Sequence, residues 1–189
     1  MSTRQLNPTL WRTCRVLSGR IRLKLLRQLY DNPGRSVSEL AAAVGIGVSD
    51  ASQELRRLQS RGLLKADRHG ALLIYRMESD PQVPSAAPLL AALKTALSTC
   101  PPAQDEQMIP LATGLAHPRR IAVAKLLVAS DQSTLALRMA TRIPVCPLSR
   151  HLKTLKAGGW IEGNKKCLRF TIPAHPLARV LAELVHKEG

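Results

Sequence analysis

The chain has 189 residues, enough for one domain or for two small ones with a modest core each. Hydrophobic residues make up 45% of it but aromatics only 3%, so its cores are built from Leu, Ala, Val and Ile, which argues against a large β-sandwich. Its 28 Lys+Arg against 13 Asp+Glu, formally +15, point to a polyanionic partner, and no apolar run approaches the ~18 residues that span a bilayer.

The first thirty residues are rich in Arg and free of acids, as in a mitochondrial transit peptide. That reading fails because Leu17 to Tyr30 belongs to a pattern that returns later in the chain. In "LSGRIRLKLLRQLY", Ile21, Leu25, Leu26 and Leu29 have helical spacing, and "DNPGRS" is a turn. "SVSELAAAV" is a short helix with Ser36 or Ser38 near its start. "GIG" is a tight turn into a third helix, Ser49 to Arg61, which Gly62 stops. From Leu63 a strand pair turns at His69-Gly70. A short helix, a glycine turn and a basic helix form the helix-turn-helix pattern, and the hairpin behind it is a wing.

The second half repeats this order. "LAHPRRIAVAKLLV" (115–128) answers "LSGRIRLKLLRQLY", with Arg120 in the place of Arg22. "STLALRMATRIPVCPLSRHLKTLKAGGWI" (133–161) answers 36–64, with Ser149, Leu152, Leu155 and Gly159 in the places of Ser52, Leu55, Leu58 and Gly62. "FTI" answers "YRM", and "PLARVLAELV" answers "PLLAALKTAL". Matches in one order indicate a tandem duplication. The expected fold is therefore mainly α with small β-hairpin wings, as two tandem winged helix-turn-helix domains. Their expected limits are 1–100 and 108–189, each with a pairing helix, and 101–107 is the expected linker. Pro147 suits the first position of the second third helix, which puts Cys146 in the N-cap place that Ser49 holds in the first.

Charge follows the repeat: residues 1–76 carry 14 basic and 5 acidic side chains, residues 108–189 carry 13 and 4, and 77–107 carry 1 and 4. At about 100° per residue, Ala51, Leu55 and Leu58 share an inward face, leaving Gln53, Arg56 and Arg57 outward. Leu148, Leu152 and Leu155 likewise point inward, with Arg150, Lys153 and Thr154 outward. Arg and Lys suit guanine edges and phosphates, and Gln suits adenine. The candidate DNA-binding residues are therefore Ser49, Ser52, Gln53, Arg56 and Arg57 in the first unit, with Ser149, Arg150, His151, Lys153 and Thr154 in the second. Arg68 and His69 on one wing tip, and Lys165 and Lys166 on the other, join them as phosphate contacts. A solvated basic helix face is the plainer alternative for either helix alone; two such helices in a +15 chain favour double-stranded DNA.

Through "LSGRIRLKLL", "LAHPRRIAVA" and "LSRHLKTLKAGGWI", the chain resembles the ArsR family of bacterial winged-helix repressors. The first recognition helix departs furthest, with Gln53-Glu54 where the second has Arg150-His151. The resemblance implies sequence-specific double-stranded DNA binding as a transcriptional regulator, with repression as the expected sense. Two recognition helices would enter successive major grooves, here of an asymmetric site because their faces differ. It also implies that a dimer of the family type is built from one polypeptide by intramolecular pairing of the halves. "PTLWRTCRVL" would be the first helix, and Leu89, Leu90, Leu93 and Leu97 with Leu177, Val180, Leu181 and Leu184 the pairing faces. Further homodimerisation stays open, and a cytoplasmic location is expected.

The family's metal sensing does not carry over, because "SELAAAV" and "LALRMAT" hold no thiolate cluster, so no metal and no cofactor is expected. The four scattered cysteines do not form a disulfide framework. Cys14, Cys100 and Cys146 remain candidates for a thiol or redox sensor, with small buried hydrophobes as the plainer reading. No enzyme is expected: Ser149 and His151 diverge on their helix, and "GIGVSD" lacks the strand that precedes a phosphate loop. The rival function is a tandem winged-helix protein-interaction scaffold, in chromosome organisation or complex assembly, to which Asp50 and Glu54 lend weight.

Overall fold

The structure, a computed structural model, describes residue 6 and residues 8–187. It is mainly helical with small antiparallel hairpins. The chain forms two compact units, and it does not divide between them at a single point. Residues 19–106 lie in the first unit; residues 9–18 join residues from 107 onward in the second. Helix α1 (Leu10–Leu17), which sequence order assigns to the first domain, therefore belongs to the second.

In the first unit, α2 (Arg20–Asp31) leads to a two-residue strand β1 (Arg35–Ser36) and then to α3 (Val37–Val44). Ser36 settles the choice between the two serines. Its hydroxyl accepts from the Glu39 N–H, and the Glu39 carboxylate accepts from the Ser36 N–H, a reciprocal capping box. Gly45 ends α3 in the left-handed region at φ 73°, where a side chain is disfavoured. Helix α4 (Val48–Gln59) follows, capped by Gly47 rather than by Ser49, which lies one turn-step inside. Ala51, Leu55 and Leu58 are fully buried on it, as their spacing requires. The wing is β2 (Lys65–His69) and β3 (Leu72–Arg76), joined on the other edge of β3 by β1. Sequence reading missed β1 because two residues carry no period. Helix α5 (Ala86–Thr99) packs on α2, and its Leu89, Leu90, Leu93 and Leu97 are buried.

Residues 101–107, expected as a linker, are mostly a 3₁₀ turn (Pro102–Gln107), and the turn is tied down. Asp105, 8% exposed, accepts two hydrogen bonds from Arg27 on α2, at 2.6 and 2.8 Å. The same guanidinium donates to the carbonyls of Leu97 and Cys100 at 2.7 and 3.0 Å. A buried carboxylate and the end of α5 are thus satisfied by one side chain.

In the second unit, α1 packs on α6 (Met108–Leu115), burying Leu10, Cys14 and Leu17 against Leu111, Ala112 and Leu115. Next come α7 (Pro118–Ala129), α8 (Thr134–Thr141), α9 (Val145–Ala157), the hairpin β4 (Ile161–Asn164) and β5 (Cys167–Phe170), and α10 (Pro176–Lys187). A single bridge, Gln132 to Leu168, stands where the first unit has β1. From α7 onward the order of elements is that of the first unit from α2 to α5. The Trp160 indole is fully buried and donates to the Leu111 carbonyl at 2.8 Å. Gly114 leaves room for it, since a Cβ there would stand 2.3 Å from the ring. Helix α10 covers α7 with Leu177, Leu181 and Val185, while Val180 and Leu184 are half-buried.

Candidate nucleic-acid interface

Each unit turns from a short helix into a longer one whose outer face is polar. On α4, Ser49, Gln53, Arg56 and Arg57 are exposed and Ser52 is half-buried. On α9, Ser149, Arg150 and Lys153 are exposed, while His151 and Thr154 are half-buried. The Thr154 hydroxyl donates to the Arg150 carbonyl of its own helix at 3.0 Å. The wing-tip residues Arg68, His69, Lys165 and Lys166 are all exposed. Asn164 shapes the second tip by accepting from the N–H groups of Lys166 and Cys167 at 2.9 and 3.3 Å.

The start of α9 corrects one expectation. Pro144, not Cys146, occupies the N-cap, and Pro147 is the third helical residue. The N–H groups of the first turn have no intrahelical acceptor, so proline is tolerated at the third position as well as at the first. Ahead of it, Arg142 closes α8 at φ 54°, the one non-glycine with positive φ among the described residues, in the place of Gly45.

Sequence reading also missed Val48 and Val145. They open α4 and α9 and are 54% and 57% exposed, respectively. An exposed apolar side chain of this size has the chemistry to meet a thymine methyl. Spacing gave no signal, because Val48 and Val145 stand three residues before Ala51 and Leu148 and seven before Leu55 and Leu152, in phase with the buried face, and are exposed only at the helix start.

Corresponding positions of the two units carry different chemistry. In the first, Glu54 of α4 accepts from Arg22 of α2 and from Arg57 on its own helix. The Arg22 guanidinium lies over Gly19, where a Cβ would collide with it. In the second, Arg120 donates instead to the Gly114 and Thr113 carbonyls at the end of α6, both at 2.8 Å. His151 stands in the place of Glu54 and packs on His117, ring centres 4.7 Å apart. His117 caps α7 by accepting the Arg119 N–H on Nδ1 at 3.1 Å. Burial, with Arg120 and Arg119 nearby, lowers the pKa of His117; burial and His117 itself lower that of His151. His151 is thus half-buried against His117.

The charge that looked evenly shared along the sequence is uneven once the folded units are counted. Residues 19–106 hold 12 basic and 9 acidic side chains; residues 9–18 with 107–187 hold 15 and 3. Within the helix-turn-helix itself, residues 37–59 contain Arg56 and Arg57 against Glu39, Asp50 and Glu54. Residues 134–157 contain Arg138, Arg142, Arg150, Lys153 and Lys156 and no acid.

Cys14 is wholly buried, Cys100 half-buried, and Cys146 and Cys167 exposed; none is bridged. Among the described residues no three of His, Cys, Asp or Glu gather as metal ligands, and no helix is long and apolar enough to cross a membrane.

No solved structure gives a significant match to the chain. The chain is 32% identical over 59 residues to the HTH-type transcriptional regulator YgaV of Escherichia coli (strain K12). That match covers 31% of this chain and 60% of the relative's length. Residues 19–71, from the start of α2 to the wing tip, match the model of the MarR family, in keeping with the winged helix-turn-helix of the first unit.

Proposed function

We propose that the protein is a transcriptional regulator, of repressor type, that binds double-stranded DNA at an asymmetric site. The observation that carries this is the α8–α9 pair: five cations, no acid, and Arg150 and Lys153 exposed on the outer face of α9. A helix of about 10 Å diameter fits the major groove, where Arg and Lys meet guanine edges and phosphates. In this reading α4 and α9 each enter a major groove, with the wing tips on the flanking backbone. Gln53, Arg56 and Arg57 differ from Ser149, Arg150 and Lys153, so the two half-sites differ as well. The arrangement is that of an ArsR-like dimer made from one chain by tandem duplication, and the common order of elements in the two units supports it.

The test is a titration of labelled duplex over a range of salt concentrations. Binding weakens steeply as salt rises, and Arg150→Ala with Lys153→Ala lowers the salt slope by about 2 if both side chains neutralise phosphates. A chain that ignores duplex DNA at low salt overturns this reading and favours the protein-interaction scaffold.

A further inference from the structure

We propose that the two recognition helices divide the work, and that Glu54 sets the division: α9 supplies affinity for the DNA backbone, while α4 supplies discrimination. The inference rests on the DNA-binding reading above and adds to it a specificity-determining residue.

Over Val48–Gln59, Arg56 and Arg57 are matched by Asp50 and Glu54, so α4 is neutral; Val145–Ala157 carries Arg150, Lys153 and Lys156 unopposed. A neutral helix has little non-specific pull on a polyanion, because that pull scales with the number of phosphates neutralised. Glu54 is the acid placed to matter. Its side chain is only 16% exposed and it holds two guanidinia, Arg22 from α2 and Arg57 from its own helix. Arg57 is 54% exposed, so it still presents donors outward, but on a side chain whose position and charge are both restrained. A fixed guanidinium suits the two acceptors of a guanine edge better than a phosphate that any sequence offers. Its half-cancelled charge gains little unless that edge is present. The second unit keeps no such restraint: His151 replaces the acid, Thr154 stands where Arg57 does, and Arg120 turns away to α6.

Glu54→Gln in the full chain tests this, with Arg57→Gln as a second variant at an exposed position that leaves the fold intact. Two duplexes are used: the strongest from selection on random DNA, and a scrambled one of equal length. Glu54→Gln is expected to tighten scrambled-duplex binding about three- to tenfold and to steepen the salt slope by about 1, so that preference for the selected duplex falls. Arg57→Gln is expected to lower that preference, weakening binding of the selected duplex several-fold more than binding of the scrambled one. A purely structural role for Glu54 lowers the melting temperature without steepening the slope, and that outcome overturns the proposal. So does unchanged preference in both variants while Arg150→Ala still weakens binding. Loss of all duplex binding by the wild-type chain overturns the underlying reading instead.

Discussion

His117 and His151 face each other without a carboxylate among the groups that perturb them, and Arg119 and Arg120 raise the cost of charging either. Protonation of His117 at Nδ1 would also remove the acceptor for the Arg119 N–H. His175 repeats that arrangement, with Nδ1 accepting the Leu177 N–H at 3.1 Å and burial lowering its pKa. An unfolded histidine titrates near about 6.5, so below that value the unfolded chain binds protons that these folded residues resist. The stability they provide is fully present above about pH 6.5 and is lost as pH falls toward the lowered folded values. The melting temperature should therefore drop between pH 7.5 and pH 5.5, and His117→Asn should reduce the drop, because Asn keeps an N-cap acceptor and does not titrate. Equal pH dependence in the variant and the wild type would assign the effect to other groups.

At the scale of elements, the Pro102–Gln107 turn is held by one buried pair, Arg27 and Asp105. Removing the carboxylate leaves a guanidinium that is 10% exposed without its main partner. Such a loss costs about 3–5 kcal/mol, whereas an exposed pair such as Lys65–Glu78 is screened by solvent and contributes little. Asp105→Ala should shift the first unit's denaturant midpoint accordingly, and Glu78→Ala should leave it almost unchanged. The helices were legible in the sequence because Leu25, Leu26, Leu55, Leu58, Leu152 and Leu155 recur at helical spacing, and the first wing because His69-Gly70 marks its turn. What stayed hidden lacks a local period. β1 has two residues, the N-caps of α4 and α9 carry no capping side chain, and Asp105 looks like any acid in a polar stretch until Arg27 is folded against it. The same limit applies to the interface. Arg150 and Lys153 could be placed on an outer face from spacing alone, but the Glu54–Arg22 ion pair and the His117–His151 contact join residues more than thirty positions apart.

At the scale of the whole molecule, the membership of α1 decides how charge and stability are shared. By sequence it opens the first half; by packing it belongs with α6, and it brings Arg12 and Arg15 with it. Nothing in "LWRTCRVL" distinguishes the two outcomes, because an amphipathic helix specifies the face it buries and not the partner it buries it on. The side chain that tests the assignment is Leu17, fully buried one residue before the chain passes into the first unit. A Leu→Ala change at such a site costs about 2–5 kcal/mol. If α1 is part of the second unit, Leu17→Ala accelerates amide hydrogen exchange in α6 and α9, and the amides of α4, closer in sequence, keep their protection. DNA affinity should fall with it, since α9 carries most of the proposed backbone contacts, whereas an equal loss placed in the first unit by Asp105→Ala should mainly reduce selectivity. Faster exchange in α4 with α6 unaffected would return α1 to the first unit, and with it two of the cations that now make the second so strongly basic.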